Sequence, residues 1–255
     1  MLRGIDVSHW DSGLQLDGSV DFCIAKITQG TSWVDGTFGA WMIQAHRLGI
    51  RLGAYHFADG QNPKDEAQFF WSMVKDLDSI VPVLDFEIST DDDVAWCESF
   101  IKRFHELSNH YPMLYISASL CQMFNGSWIP DYCALWVAGY PQPAYDDWVL
   151  RECPYNVGKW GRPDIWQFTS ELSYNGHKVD ANLAYMGELG FDALTMGADM
   201  TLQELMNAKV HTSYGDLTVR DIISWTYAYT RDMQPVVFDL QKRVKELEKK
   251  VDNDR

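Results

Sequence analysis

The run Val81-Pro82-Val83-Leu84-Asp85-Phe86-Glu87-Ile88 constrains the fold of this chain more than any other segment. Strand side chains alternate faces, so Val81, Val83, Asp85 and Glu87 share one side while Leu84, Phe86 and Ile88 take the other. Both sides begin apolar, as in a strand with helices over one face and the packed inside of a barrel against the other. Two acids then fall on one face at the carboxyl end, with α-carbons about 7 Å apart in strand geometry. Side-by-side carboxylates cost free energy unless one keeps its proton or both reach solvent. A solvated pair at a strand–loop junction is one reading. The other is an active site, because barrels build theirs at C-terminal strand ends.

The rest of the chain repeats the strand-and-helix pattern. Apolar runs at 22–27, 50–57 and 81–88 alternate with segments of helical period. The first of these segments spans 38–48. In the second, Pro63 stands at a helix N1 position ahead of Ala67, Phe70, Val74 and Leu77. The third carries Val94, Cys97, Ile101, Phe104 and Leu107, and Asp91, Asp92 and Asp93 at its start complement the helix dipole and do not form a metal site. Further strands are expected at 113–117, 135–139, 165–169 and around 179–182. With 4–8, this makes about eight. The pattern predicts an α/β fold, a (β/α) barrel of TIM type that is parallel in its first half and irregular after five units.

Charge and composition narrow the function classes. The formal net charge is −15, of which residues 1–195 carry −14 and residues 196–255 carry −1, and ten of the eleven Trp lie in the first part. This shift marks the expected boundary between a barrel, 1–195, and a smaller C-terminal region, 196–255. An acidic body of this kind is no general nucleic-acid binder. Five scattered cysteines without a C-x-x-C pair read as free thiols in a reducing compartment, neither disulfide framework nor zinc site. The N-terminus shows no secretory pattern and no run of about 18 apolar residues occurs, so the chain is expected to be made in a cytoplasm and not inserted in a membrane.

Asp6 in Ile5-Asp6-Val7 and Asp180 in Val179-Asp180-Ala181-Asn182 repeat the placement of an acid in an apolar strand. Four inward-facing acids weaken a core. A sugar-cleaving site needs such a set: a proton donor, support for positive charge at the anomeric carbon, and orienting groups.

Six ordered motifs carry a resemblance: Gly4-Ile5-Asp6-Val7-Ser8-His9-Trp10, Gly53-Ala54-Tyr55-His56-Phe57, Leu84-Asp85-Phe86-Glu87, Leu135-Trp136-Val137-Ala138-Gly139-Tyr140, Ile165-Trp166-Gln167-Phe168-Thr169-Ser170 and Val179-Asp180-Ala181-Asn182. Over about residues 3–190 the chain resembles glycoside hydrolase family 25, the Chalaropsis-type lysozymes of bacteria and phage endolysins. The resemblance implies N-acetylmuramidase activity on peptidoglycan without cofactor or metal. Glu87 then corresponds to the general acid. Asp85 corresponds to the group that positions or polarises the substrate acetamido group, or acts in place of a protein nucleophile, and Asp6 and Asp180 to flanking carboxylates. A carboxyl crowded by anions holds its proton more tightly, which suits a donor. Tyr55, Tyr115, Trp136 and Gln167 are the expected substrate-binding residues. His56 is either a ligand contact or a satisfied barrel histidine, and Trp41, Trp71 and Trp96 are expected to pack. A glycan-binding barrel without catalysis and a chitinase-like glycosidase are the rival functions. Wall action by a chain without a leader implies release through a holin-type lesion.

In the C-terminal region, helices are expected from Thr201 through Met206 and over 219–229. Met233, Val237, Leu240, Val244, Leu247 and Val251 then form a heptad-like stripe over 233–252 with Val at a and Leu at d, a choice that favours a parallel homodimer. Packing of that stripe on the barrel, a charged solvated helix and wall targeting are the alternatives.

Overall fold

The computed structural model describes residues 1–196 and, further on, the backbone of 209–212 and 215–218. In chain order come β1 (Leu2–Val7), β2 (Phe22–Gln29), the two-residue β3 (Trp33–Val34), α1 (Phe38–Leu48), β4 (Arg51–Phe57), α2 (Pro63–Val74), β5 (Ile80–Asp85) and α3 (Asp93–Ser108). They are followed by β6 (Met113–Ser117), the short α4 (Ile129–Tyr132), β7 (Leu135–Ala138), β8 (Ile165–Tyr174), β9 (His177–Ala184) and α5 (Glu188–Asp192). Eight strands close into a barrel in the order β1-β2-β4-β5-β6-β7-β8-β9 and back to β1. Neighbours from β1 to β8 are parallel. Strand β9 alone runs antiparallel to both of its neighbours.

Local chemistry accounts for these elements. Asn62 caps α2 through the Lys64 and Asp65 N–H groups, with Pro63 at the first helical position. Asp92 caps α3 by accepting from Ala95 N, while Asp93 accepts from the Thr90 N–H and hydroxyl, so the acidic triplet is helix-start chemistry. The reversal of β9 has an equally local cause. Asn175 and Gly176 have φ of 48° and 82° between the paired Tyr174 and His177, a two-residue turn that joins only antiparallel strands. The run expected to reach residue 88 leaves the sheet after Asp85, and Phe86 N makes a last bond to Tyr115 O.

The core has two layers separated by the barrel wall. Leu2, Phe22, Ile24, Val81, Val83, Met113 and Trp136 fill the interior, closed at the base by Phe191 of α5. Outward residues such as Ile5, Val7, Cys23, Leu84 and Phe86 pack under the helices with Trp41, Phe70, Trp96 and Phe104. Arg51 at the start of β4 bonds Asp192 and Glu188, tying α5 to that end. Between wall and helices lies a buried polar strut. His56 Nδ1 meets Thr28 Oγ1 at 2.8 Å and its Nε2 meets Glu66 Oε2 at 2.9 Å, while Glu66 also accepts from the backbone N–H groups of Asp59 and Gln61. His56 is thus a satisfied barrel histidine that anchors the loop after β4.

Beyond residue 200, β10 (Lys209–Thr212) and β11 (Gly215–Thr218) form an antiparallel hairpin within a second unit, Met200–Arg255. This strand pair is added to the helical region expected there. The helices expected at Thr201 to Met206 and 219–229, and the heptad stripe of 233–252, lie outside the described residues.

Gly4 faces the barrel interior, where a Cβ would stand 2.3 Å from Phe22 Cε2 and Cζ. Overpacking there is expected to cost about 1–3 kcal/mol. Gly4→Ala should therefore lower the thermal midpoint by several degrees, and adding Phe22→Leu should recover part of the loss. An unchanged melting curve for Gly4→Ala would contradict this packing.

Candidate active site

The top layer of the barrel interior is polar. Asp6 lies near the end of β1, Asp85 is the last residue of β5, and Glu87 follows two residues later. Asp180 reaches the same mouth from an antiparallel strand, in sheet register directly opposite Asp6. Directly opposed residues of an antiparallel pair project to the same face. The rule that sites form at C-terminal strand ends therefore covers Asp6, Asp85 and Glu87. Asp180 arrives through the first half of a reversed strand.

Asp6 is held by a ring of amides. Gln167 Nε2 donates to both of its oxygens at 2.9 and 3.1 Å, and Asn182 Nδ2 donates to Oδ1 at 2.7 Å. Each amide is oriented from behind. Trp136 Nε1 donates to Asn182 Oδ1 at 2.7 Å, and the hydroxyls of Tyr115 and Tyr140 donate to Gln167 Oε1 at 2.8 and 2.7 Å. With their oxygens occupied by donors, both amides must turn their NH₂ groups to the carboxylate.

Burial and the facing Asp180 still push the Asp6 carboxyl well above the ordinary range, against the pull of Asn182 and Gln167. Burial, Asp11 and Glu87 raise Asp180 to about 6. Asp85 is raised well above the ordinary value by burial, then by Glu87 and Asp6, with Lys26 acting in the opposite direction. Asp85 and Glu87 are neighbours at the mouth. Their settings differ: Glu87 is exposed, whereas Asp85 is 6 % exposed and its Oδ1 has no hydrogen-bond partner.

The other expected residues divide by depth. Tyr115, Trp136 and Gln167 are buried, with their polar atoms committed to the Asp6 network. Tyr55 is half-buried on β4, and burial followed by Asp85 raises its phenol, which therefore stays protonated.

The residue reading missed five members of the mouth. Asn182 and Tyr140 complete the Asp6 network, and the signal for Asn182 was its position two residues after Asp180, on the same face. Lys26 lies inward on β2, two residues past Ile24, and is 7 % exposed. Trp10 is 85 % exposed and lies tilted at 4.5 Å against His9, which Asp35 anchors and which meets the exposed Trp33 at 5.3 Å. Nothing local in the sequence marks Trp10 and Trp33 as neighbours. The loops after β4 and β5 enclose a groove of about 820 Å³ lined by Asp59, Gly60, Ile88, Thr90, Asp92 and Trp96. A separate cavity of about 580 Å³ lies at the other end of the barrel, by Ile50, Leu77 and Ile80, and contains none of the four carboxyls.

The Asp180 shift sets a pH-dependent stability. A carboxyl whose folded value is about 6 against an ordinary 3.8 favours the folded state below the ordinary value, and that contribution is lost as pH rises through 6. Asp180→Asn should match the wild type at about pH 3 and exceed it by on the order of 1 kcal/mol at pH 7, measured by urea unfolding. Equal stabilities at pH 7 would contradict the assigned burial.

Comparison with known proteins places this geometry. The family model of glycosyl hydrolases family 25 matches residues 5–177. Lysozyme M1 of Streptomyces globisporus is 30% identical over 149 residues, covering 50% of this chain and 50% of that protein, so the chain spans about half the length of that relative. An N,O-diacetylmuramidase of Chalaropsis sp is 27% identical over 203 residues, covering 69% of this chain and 91% of the relative. Among solved structures, the catalytic domain of an endolysin from a bacteriophage of Listeria monocytogenes superposes with a TM-score of 0.57 at 21% identity, over 76% of this chain and 97% of that one. With most of its barrel matched by the family model, the chain belongs to glycosyl hydrolases family 25.

Proposed function

We propose that this chain is a muramidase that hydrolyses the β-1,4 bond between N-acetylmuramic acid and N-acetylglucosamine in peptidoglycan. The observation that carries the reading is the pairing of an exposed Glu87 with a buried Asp85 whose Oδ1 lacks a partner. Family membership and the muramidase relatives support it. Glu87, open to the mouth, gives its proton to the glycosidic oxygen as the C1–O bond breaks. The substrate's acetamido oxygen attacks C1, and Asp85 Oδ1 accepts the acetamido N–H and balances the positive charge that develops. Water then adds at C1 after Glu87 removes its proton, with net retention. Asp6, held by the two amides, and Asp180, across the strand pair from it, orient and polarise the centre. Tyr55, Trp10 and Trp33 offer flat faces to sugar rings, while Tyr115, Trp136 and Gln167 support the carboxyls from below.

Digestion of purified peptidoglycan followed by reduction of the new ends should yield muramic acid ends. Glucosamine ends would redirect the specificity, and binding without cleavage would replace the reading by a silent glycan-binding barrel. Glu87→Gln should lose about 10²–10⁴-fold in turnover with the fold intact, the usual scale for a general acid. Undiminished activity would remove Glu87 from that role.

The endolysin neighbour supports a further reading as a phage lysis enzyme that reaches the wall through a holin-type lesion. Among the described residues, no helix is long and apolar enough to cross a membrane. Efficient export of the chain from a host lacking such a lesion would count against holin release. The stripe of 233–252 supports homodimerisation through a parallel coiled coil. Truncation after residue 232 should halve the mass in solution, and an unchanged mass would exclude the dimer.

A further inference from the structure

The chemistry proposed above leaves one buried charge at the mouth unused. Lys26 lies on the inward face of β2 and is 7 % exposed, and burying an ammonium is costly unless opposite charge and hydrogen bonds offset the lost hydration. Its Nζ donates to Gln29 Oε1 at 2.8 Å and sits 4.4 Å from the Phe57 ring centre and 5.0 Å from that of Trp33. Both rings offer a cation a favourable face. Phe57 is the register partner of Asp85 across β4 and β5, so the ammonium is lodged one side chain away from that carboxyl. The lysine ion pairs among the described residues are those of Lys75, Lys159 and Lys178. Lys26 is held off by the rings and by Gln29, and Asp85 Oδ1 keeps no protein donor.

The surroundings make a cation there consequential. Asp6 from β1, Asp11 from the turn after it, and Asp180 from β9 crowd the same space as Asp85 and Glu87. Asp35 and Asp59 face Lys26 from the loops after β3 and β4. Tyr55, Tyr115 and Tyr140 complete the surround as neutral phenols, their ionisation pushed up by burial first. Burial, Glu87 and Asp6 all favour a proton on Asp85, whereas the proposed reaction needs its proton on the donor.

We infer that Lys26 is a positioning residue whose field opposes the burial and acidic neighbours of Asp85 without contact, leaving Asp85 Oδ1 open to an amide N–H of the substrate. A lysine in direct contact would supply the same charge but occupy the acceptor. The inference rests on the muramidase reading for its purpose, and its electrostatic content is measurable without turnover.

The test compares wild type with Lys26→Gln, Lys26→Met and Lys26→Arg. The acid limb of the kcat/KM profile on solubilised peptidoglycan should move up by on the order of one pH unit in the Gln and Met variants, the scale of losing a unit charge several ångströms away. Activity on that limb should fall about 10-fold, and Arg should restore the wild-type position. In parallel, the ¹³C carboxyl titration of Asp85, assigned by its loss in Asp85→Asn, should shift in the same direction. Met is an unbranched apolar chain one atom shorter than Lys and removes a buried charge, so it serves if the Gln variant does not fold. A folded charge-free variant with an unmoved limb and titration would overturn the role, as would an Arg variant displaced as far as Gln. An inactive wild type whose Asp85 titration still depends on Lys26 would overturn the muramidase reading and leave the charge role standing.

Discussion

Keeping a carboxylate inside a protein barrel is the constraint around which the upper half of this molecule is built. Asp6 is partly shielded from water, faces a second acid across one strand pair, and is compensated by three amide hydrogen bonds. Those bonds require amide groups turned the right way, so indole and phenol donors occupy the amide oxygens behind them. The compensating side chains come from β6, β7, β8 and β9, with Tyr140 just beyond β7. Closing the barrel and assembling the site are therefore the same event. Any change that splays β8 or β9 from β1 leaves a half-buried carboxyl without its donors, a costlier fault than a lost apolar contact.

The layers beneath serve this arrangement. Phe22, Val81, Met113 and Phe191 fill the base as an ordinary apolar core, and Gly4 leaves space for the Phe22 ring. Stability is accumulated low in the barrel and around it, where Phe70, Phe100 and Phe104 pack under α2 and α3. It is given up at the mouth, where Asp6, Asp85 and Asp180 are all harder to ionise than in water. That gradient is the expected signature of a catalytic fold, in which groups poised for chemistry are unfavourable for folding. The strut from Thr28 through His56 to Glu66 carries the same organisation into a loop, fixing backbone N–H groups of the segment that walls the groove.

Much of this was legible in one dimension. Helix α1 spans the residues that its periodicity predicts, α2 begins at Pro63, and β6 spans 113–117. Each depends on short-range rules: capping, the missing proline donor, and alternation or helical period. The pairing of Asp85 and Glu87 on one face followed from the two-residue repeat of a strand. The end of β5 did not, because Phe86 to Ile88 alternate like strand residues yet lack a partner strand to extend along. The direction of β9 was written in Asn175-Gly176, a turn signal as local as any helix cap.

By itself, then, the sequence determined the α/β barrel, the acids it gathers and the family to which the chain belongs, because these reside in periodicities and ordered motifs a few residues long. Only the tertiary structure decided which side chains meet. It set Asp180 against Asp6, put Asn182 and Tyr140 behind the Asp6 carboxylate, brought Trp10 and Trp33 around His9, and lodged Lys26 beside Phe57 without letting it touch Asp85. Such meetings depend on register between strands as far apart in the chain as Leu2 and Ala184, set by barrel closure and the desolvation of charge. No local pattern encodes that register.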